Sequence, residues 1–155
     1  MLKRTPCVGI CSTTYGDLVC RGCKRFAHEI VQWNAFDEQQ RDAVWARLLE
    51  QRARVVAEFV ELTDRAALQA GAARLNVPDR ELVDDYNLVY ELLRRLRRRT
   101  ADEASAAALE TFGLRPRQGP AGAGLSGAGL LELIDQELYQ RALAYYERSF
   151  RTLVQ

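Results

Sequence analysis

Cysteine does not occur after position 23, and histidine, methionine and lysine are nearly missing: the 155-residue chain has one His, one Met and two lysines, Lys3 and Lys24. His28 is therefore the sole imidazole, and no Gly-x-Ser-x-Gly elbow occurs. Together these leave hydrolysis or acyl transfer without a nucleophile, base and orienting group, so a non-catalytic role is expected. No apolar run approaches the roughly eighteen residues that a membrane span needs, and no membrane role is expected. The opening Met-Leu-Lys-Arg-Thr-Pro leads into an apolar stretch too short for the core of a secretory signal, which makes the cytoplasm the expected location. A net charge of +1 excludes any general attraction to nucleic acid or membrane, so such binding would need a local patch.

All four cysteines fall within seventeen residues, as Cys7-x3-Cys11, eight residues, then Cys20-x2-Cys23. Thiolates are soft ligands, and two close pairs separated by a short turn can fold back onto one tetrahedral metal. In a reducing compartment that reading is better than disulfides. Gly9, Gly16 and Gly22 stand where tight turns are needed, and Thr13 to Val19 suggests a hairpin turning near Gly16-Asp17. The expected site is Cys7, Cys11, Cys20 and Cys23 around one ion. Zinc is favoured and an iron–sulfur cluster is the alternative, since both accept four thiolates. The spacing matches neither the bacterial nor the plant-type ferredoxin run, nor the Cys-x3-Cys-x2-Cys of radical enzymes, whose third position here is Thr14. His28, five residues past Cys23, is expected on an exposed helix surface rather than as a ligand.

After Cys23, Phe26, Ile30 and Trp33 share one face of a short helix over Lys24 to Trp33, which places the second cysteine pair at its start as in treble-clef zinc sites. Asp37 and Gln40 form a capping box for the next helix, whose apolar positions Val44, Trp45, Leu48, Leu49, Val55, Val56, Phe59 and Val60 recur at helical spacing. Thr63 is a candidate cap for a further helix through Leu75, and Asn76-Val77-Pro78 ends it. Pro78 suits a first helical position, with a seam of Leu82, Tyr86, Val89, Leu93 and Leu96 behind it. Thr100 with Glu103 gives another capping box, for a short helix ending near Gly113.

Six of the ten glycines lie between Gly113 and Gly129, a stretch that reads as a linker. The glycines of 119 to 129 are not expected to follow a strand and have no phosphate-loop lysine. Beyond them Leu131, Ile134, Leu138, Ala142, Tyr145 and Leu153 line one face of a last helix. That face needs cover, from within the chain or from a second copy or protein partner.

The expected architecture is mainly α: a treble-clef-like four-cysteine knuckle (1–36), a helical bundle body (37–112), a glycine- and proline-rich linker (113–129) and an amphipathic C-terminal helix (130–155). Its expected role is that of a protein-interaction or regulatory module, with an iron–sulfur protein in electron transfer or redox sensing as the alternative. Arg94, Arg95, Arg97, Arg98 and Arg99 make the one basic cluster, either a solvated helix C-terminus that offsets the dipole or a nucleic-acid contact without interleaved aromatics. Asp84 and Asp85 read as a solvated helix face.

The stretch Pro6-Cys7-Val8-Gly9-Ile10-Cys11, then Cys20-Arg21-Gly22-Cys23-Lys24-Arg25, then Glu29-Ile30 and Trp33, resembles a family of small bacterial proteins known as domain of unknown function 1289 and described as predicted iron–sulfur proteins. The resemblance covers residues 6 to 49 and includes Asp37 and Arg41. It implies that the four cysteines are metal ligands and that Glu29, Ile30 and Trp33 belong to a supporting helix. Members usually carry threonine, a helix-capping hydroxyl, where this chain has Phe26.

Overall fold

The computed structural model describes residues 5–99, 106–117 and 126–150. Six α-helices and a two-stranded antiparallel sheet are found among them: α1 (Ala27–Gln32), α2 (Glu38–Phe59), β1 (Val60–Leu62), α3 (Arg65–Arg74), α4 (Asp85–Leu96), α5 (Ala106–Thr111), β2 (Leu114–Pro116) and α6 (Gly127–Ser149). No described helix is long and apolar enough to cross a membrane. Two compact units divide the chain, one of residues 52–135 with residues 1 and 2, the other of residues 3–51 and 136–155. The smaller unit joins stretches distant in sequence.

In the larger unit the helix expected to reach about Val60 ends at Phe59 and is followed directly by a strand. Val60, Glu61 and Leu62 pair with Pro116, Arg115 and Leu114, so the start of the stretch read as a linker is built into a sheet. Gly113 makes the approach possible. Its φ is +72°, and a Cβ there would stand 2.1 Å from the Asp64 carbonyl oxygen, while its own carbonyl accepts from the Thr63 N–H at 2.8 Å. Asp64, one residue beyond the expected Thr63, caps α3 by accepting from the Ala67 N–H at 3.1 Å.

Asn76 at φ 55° ends that helical stretch, as expected from the sequence. Pro78, however, does not start the next helix. Residues 78–83 form turns, and Asp84 caps α4 through the Asn87 N–H at 2.9 Å. A carboxylate that satisfies an orphan amide fixes a helix start more firmly than a proline that merely tolerates it. The seam is correspondingly shorter: Val89, Leu93 and Leu96 are buried, whereas Leu82 is exposed. Asp85 faces Arg65, Nε to Oδ1, at 3.1 Å. The Thr100 and Glu103 box lies outside the described residues, as does Leu153.

The smaller unit holds the cysteines. Its core is Val19, Phe26 and Ala142, with Tyr139, Leu143, Tyr146 and Phe150 packed around them. The C-terminal half of α6 therefore spends its apolar face on the knuckle. Leu138 and Ala142 are buried within the chain, and Tyr145 stacks 5.8 Å from Phe26.

Candidate metal centre

The expected hairpin at Gly16-Asp17 is replaced by a 3-10 turn over Ser12–Tyr15 that Gly16 closes at φ 97°. The β-bridge lies further on, between Val19 and Phe26, and encloses the second cysteine pair. Within it the Cys20 N–H donates to the Arg25 carbonyl and the Lys24 N–H to the Cys20 carbonyl, both at 2.9 Å. Lys24 takes a left-handed φ of 67° to complete the turn, and its ammonium donates to the carbonyls of Arg21 at 2.6 Å and Gly22 at 2.9 Å. This is a sharper bend than the 13–19 segment supports, because the Lys24 side chain and two backbone hydrogen bonds hold it.

The first cysteine pair is brought against this turn. A Cβ at Gly22 would meet the Ile10 carbonyl oxygen and a Val8 methyl, both at 2.8 Å, so only glycine lets the strands of the knuckle close. The Arg21 N–H donates to Ser12 Oγ at 2.8 Å, and the Cys20 thiol points at the Ile10 carbonyl at 3.4 Å.

All four cysteines are free thiols. The Gly9 N–H lies 3.4 Å from Cys7 Sγ, the Thr13 hydroxyl 2.9 Å from Cys11 Sγ, and Arg25 Nε 3.3 Å from Cys23 Sγ. Thr13 lowers the Cys11 pKa against a smaller upward push from burial. Burial works to raise Cys20, yet the backbone amides of Cys23, Ser12 and Gly22 together bring it below the usual thiol value. For Cys23 burial wins and the pKa is raised, with Arg25 pulling the other way. Cys20 is thus within electrostatic reach of both Cys11 and Cys23, while Cys7 is exposed. Among the described residues no three or more His, Cys, Asp or Glu side chains are arranged to hold a metal ion. The chemistry of the donor set nevertheless fits a thiophilic ion: four reduced sulfurs, each with an N–H or O–H directed at it or a depressed pKa that reports such donors.

The support behind the knuckle is specific. Helix α1 is shorter than expected, and Phe26 takes the N-cap position with no polar side chain to offer. Glu29 supplies half of a capping box from the other side, accepting from the Phe26 N–H at 2.9 Å. Trp33 is buried in a 3-10 turn after α1, and Arg41 donates to the carbonyls of Trp33 at 3.0 Å and Asn34 at 3.3 Å. Asp37 and Gln40 form the expected reciprocal box, at 2.8 and 2.9 Å. His28 is exposed, its ring 5.7 Å from Phe26 and 5.0 Å from Phe150.

Sequence reasoning missed the two cations that follow Cys23. Lys24 and Arg25 are both buried, which the polar run Cys-Lys-Arg gave no reason to expect. The basic cluster belongs to the larger unit, at the end of α4. Arg94 reaches Glu91 at 3.5 Å, Arg95 sits in the last helical turn, and Arg97, Arg98 and Arg99 are exposed.

No curated protein and no solved structure matches the chain. The knuckle, α1 and most of α2 correspond to a known family segment: residues 5–53 match the family described as protein of unknown function (DUF1289).

Proposed function

We propose that Cys7, Cys11, Cys20 and Cys23 bind one metal ion, zinc in preference to an iron–sulfur cluster, and that the metal-ordered knuckle serves as a protein-interaction or regulatory module. The donor shell around the sulfurs carries this reading. Hydrogen bonds from Thr13 to Cys11 and from Arg25 to Cys23 work toward thiolate, the form a metal requires, at Cys23 against the burial that raises it. Four thiolates close a tetrahedral zinc site and leave no position for a substrate, which suits a structural centre. The role as a module is supported by the surface of the same segment. Ile10 is 67% exposed and Tyr15 91%, with Val8 and Leu18 also exposed.

The iron–sulfur alternative draws on the same shell, because hydrogen bonds to sulfur and burial tune cluster potentials. Protein purified without oxygen separates the two. Colourless material with about one zinc per chain supports the proposal. Brown material absorbing near ~400 nm, with matching iron and sulfide, replaces zinc by a cluster. A chain that takes up neither after reconstitution overturns the metal reading itself.

A further inference from the structure

We infer that Arg25 is the outer-sphere cation of the cysteine centre: its buried guanidinium, seated on Trp33, donates to the Cys23 sulfur and offsets negative charge that the metal-bound thiolates carry. The inference rests on the proposed metal reading and adds to it a residue that is not a ligand.

Arg25 is 4% exposed, its Nε lies 3.3 Å from Cys23 Sγ, and its guanidinium carbon stands 4.8 Å over the Trp33 ring. Removing a guanidinium from water is costly unless an anion stands beside it. Arg47 of the same unit, partly buried, meets that need with the Glu29 carboxylate at 2.6 Å. Among the described residues no carboxylate lies within ion-pair distance of Arg25, and the polar side-chain atom it reaches is the Cys23 sulfur. A neutral thiol there leaves the buried cation without a counter-charge. A metal-bound sulfur is a thiolate and supplies one, and a divalent ion with four thiolates keeps a net charge of about −2.

The backbone fixes this placement. Arg25 sits in the β-bridge turn, its carbonyl accepting from the Cys20 N–H at 2.9 Å, so cation and ligand turn move as one piece. The planar guanidinium can lie on the indole and still aim Nε at sulfur, which a lysine ammonium cannot do in the same way. Arg41 provides an internal contrast. It also lies over Trp33, at 5.9 Å, but donates to backbone carbonyls and not to a sulfur.

The test is the apparent zinc dissociation constant of the full chain, measured by competition with a chromophoric chelator at fixed pH and salt. Arg25→Met, which keeps the packing on Trp33, should weaken binding ~10–100-fold, the usual effect of losing an outer-sphere partner. Arg25→Lys should fall between Met and the parent, and Arg41→Met should bind as the parent does. Circular dichroism checks that each variant keeps its helices. Should Arg25→Met not fold, Arg25→Lys decides alone: a loss of about threefold or more supports the inference, and parental affinity overturns it. Equal affinity in Arg25→Met and the parent, or an equal loss in Arg41→Met, also overturns it while leaving the metal site standing. A parent chain that binds no zinc, cobalt or iron overturns the metal reading, and this inference with it.

Discussion

Arg47 grips Glu29 through two hydrogen bonds of 2.6 Å each, Nη1 to Oε2 and Nη2 to Oε1, while its guanidinium carbon stands 4.3 Å over the Phe26 ring. The same carboxylate accepts from the Phe26 N–H, so one buried Glu ties the first turn of α1 both to its own cap and to a residue eighteen positions later. Removing Arg47 strands that carboxylate, whose side chain is only 6% exposed. Arg47→Met should therefore cost about 3 kcal/mol in urea unfolding. Glu29→Gln retains an oxygen for the cap and should cost about 1–2 kcal/mol. The double variant should lose at least ~1 kcal/mol less than the sum of the two. Strict additivity would show the pair to be energetically uncoupled.

Phe26 stands where the resembling family has threonine, and the structure gives the exchange a physical meaning. Its ring lies 5.5 Å from Tyr146 and 5.4 Å from Phe150, in the core that joins the knuckle to the end of α6. Phe26→Thr restores a capping hydroxyl worth ~1 kcal/mol but deletes a buried aromatic worth ~3–5 kcal/mol. Net destabilisation of about 2–4 kcal/mol is expected from thermal or denaturant melts. A neutral result would mean that the α6 contact contributes little and the cap dominates.

Local chemistry was legible in the sequence and distant chemistry was not. Asp37 and Gln40 are three residues apart, and their reciprocal bonds follow from that spacing alone. Pro78 misled because proline permits a helix start without compelling one, whereas Asp84 satisfies an amide. The strand Val60–Leu62 hid at the end of a helical period, and its partner Leu114–Pro116 lies more than fifty residues away in a stretch rich in glycine. Three-residue strands leave too short an alternation to register. At the candidate site, the spacing of the four cysteines was what made them proposed ligands. The burial of Arg25 was invisible, because a guanidinium looks solvated until the indole beneath it and the sulfur beside it are in place.

The larger unit contains a second polar cluster, and it should show itself at alkaline pH. The Tyr90 hydroxyl donates to Asp135 Oδ1 at 2.5 Å, Arg52 lies over the Tyr90 ring at 4.4 Å, and Arg52 Nε donates to the buried Asn87 at 2.6 Å. Burial, aided by the Asp135 carboxylate, pushes the Tyr90 phenol well above the ordinary tyrosine value. The folded state therefore holds a proton that the unfolded state releases, so the unfolded chain binds fewer protons and stability must fall as pH rises. The contribution is complete below the unfolded value of roughly 10 and declines above it, by about 1.4 kcal/mol per pH unit. Urea midpoints between pH 9 and 11 should show this fall. Tyr90→Phe should flatten it while costing about 1–2 kcal/mol at neutral pH. An unchanged slope in that variant would assign the alkaline loss to other groups.

Metal removal should act on the smaller unit and not on the larger. The seventeen residues from Cys7 to Cys23 contain three glycines and expose Ile10, Tyr15 and Leu18, so their own burial cannot order them. Metal binding can contribute roughly 10 kcal/mol to a small thiolate site, and chelation or Cys20→Ser should remove it. The structure extends the affected region past the knuckle. Val19 and Phe26 share a core with Tyr139, Ala142, Tyr146 and Phe150, so amide exchange should quicken over residues 139–150 as well as 7–33. Residues 52–99 bury Val55, Leu68, Leu88, Leu92 and Leu93 without help from the cysteines and should keep their protection, with most of the helical dichroism intact. Faster exchange confined to 7–33 would mean that α6 holds its aromatic face without the knuckle. Cooperative melting of residues 52–99 on chelation would make the cysteine centre part of one folding unit with the rest of the chain.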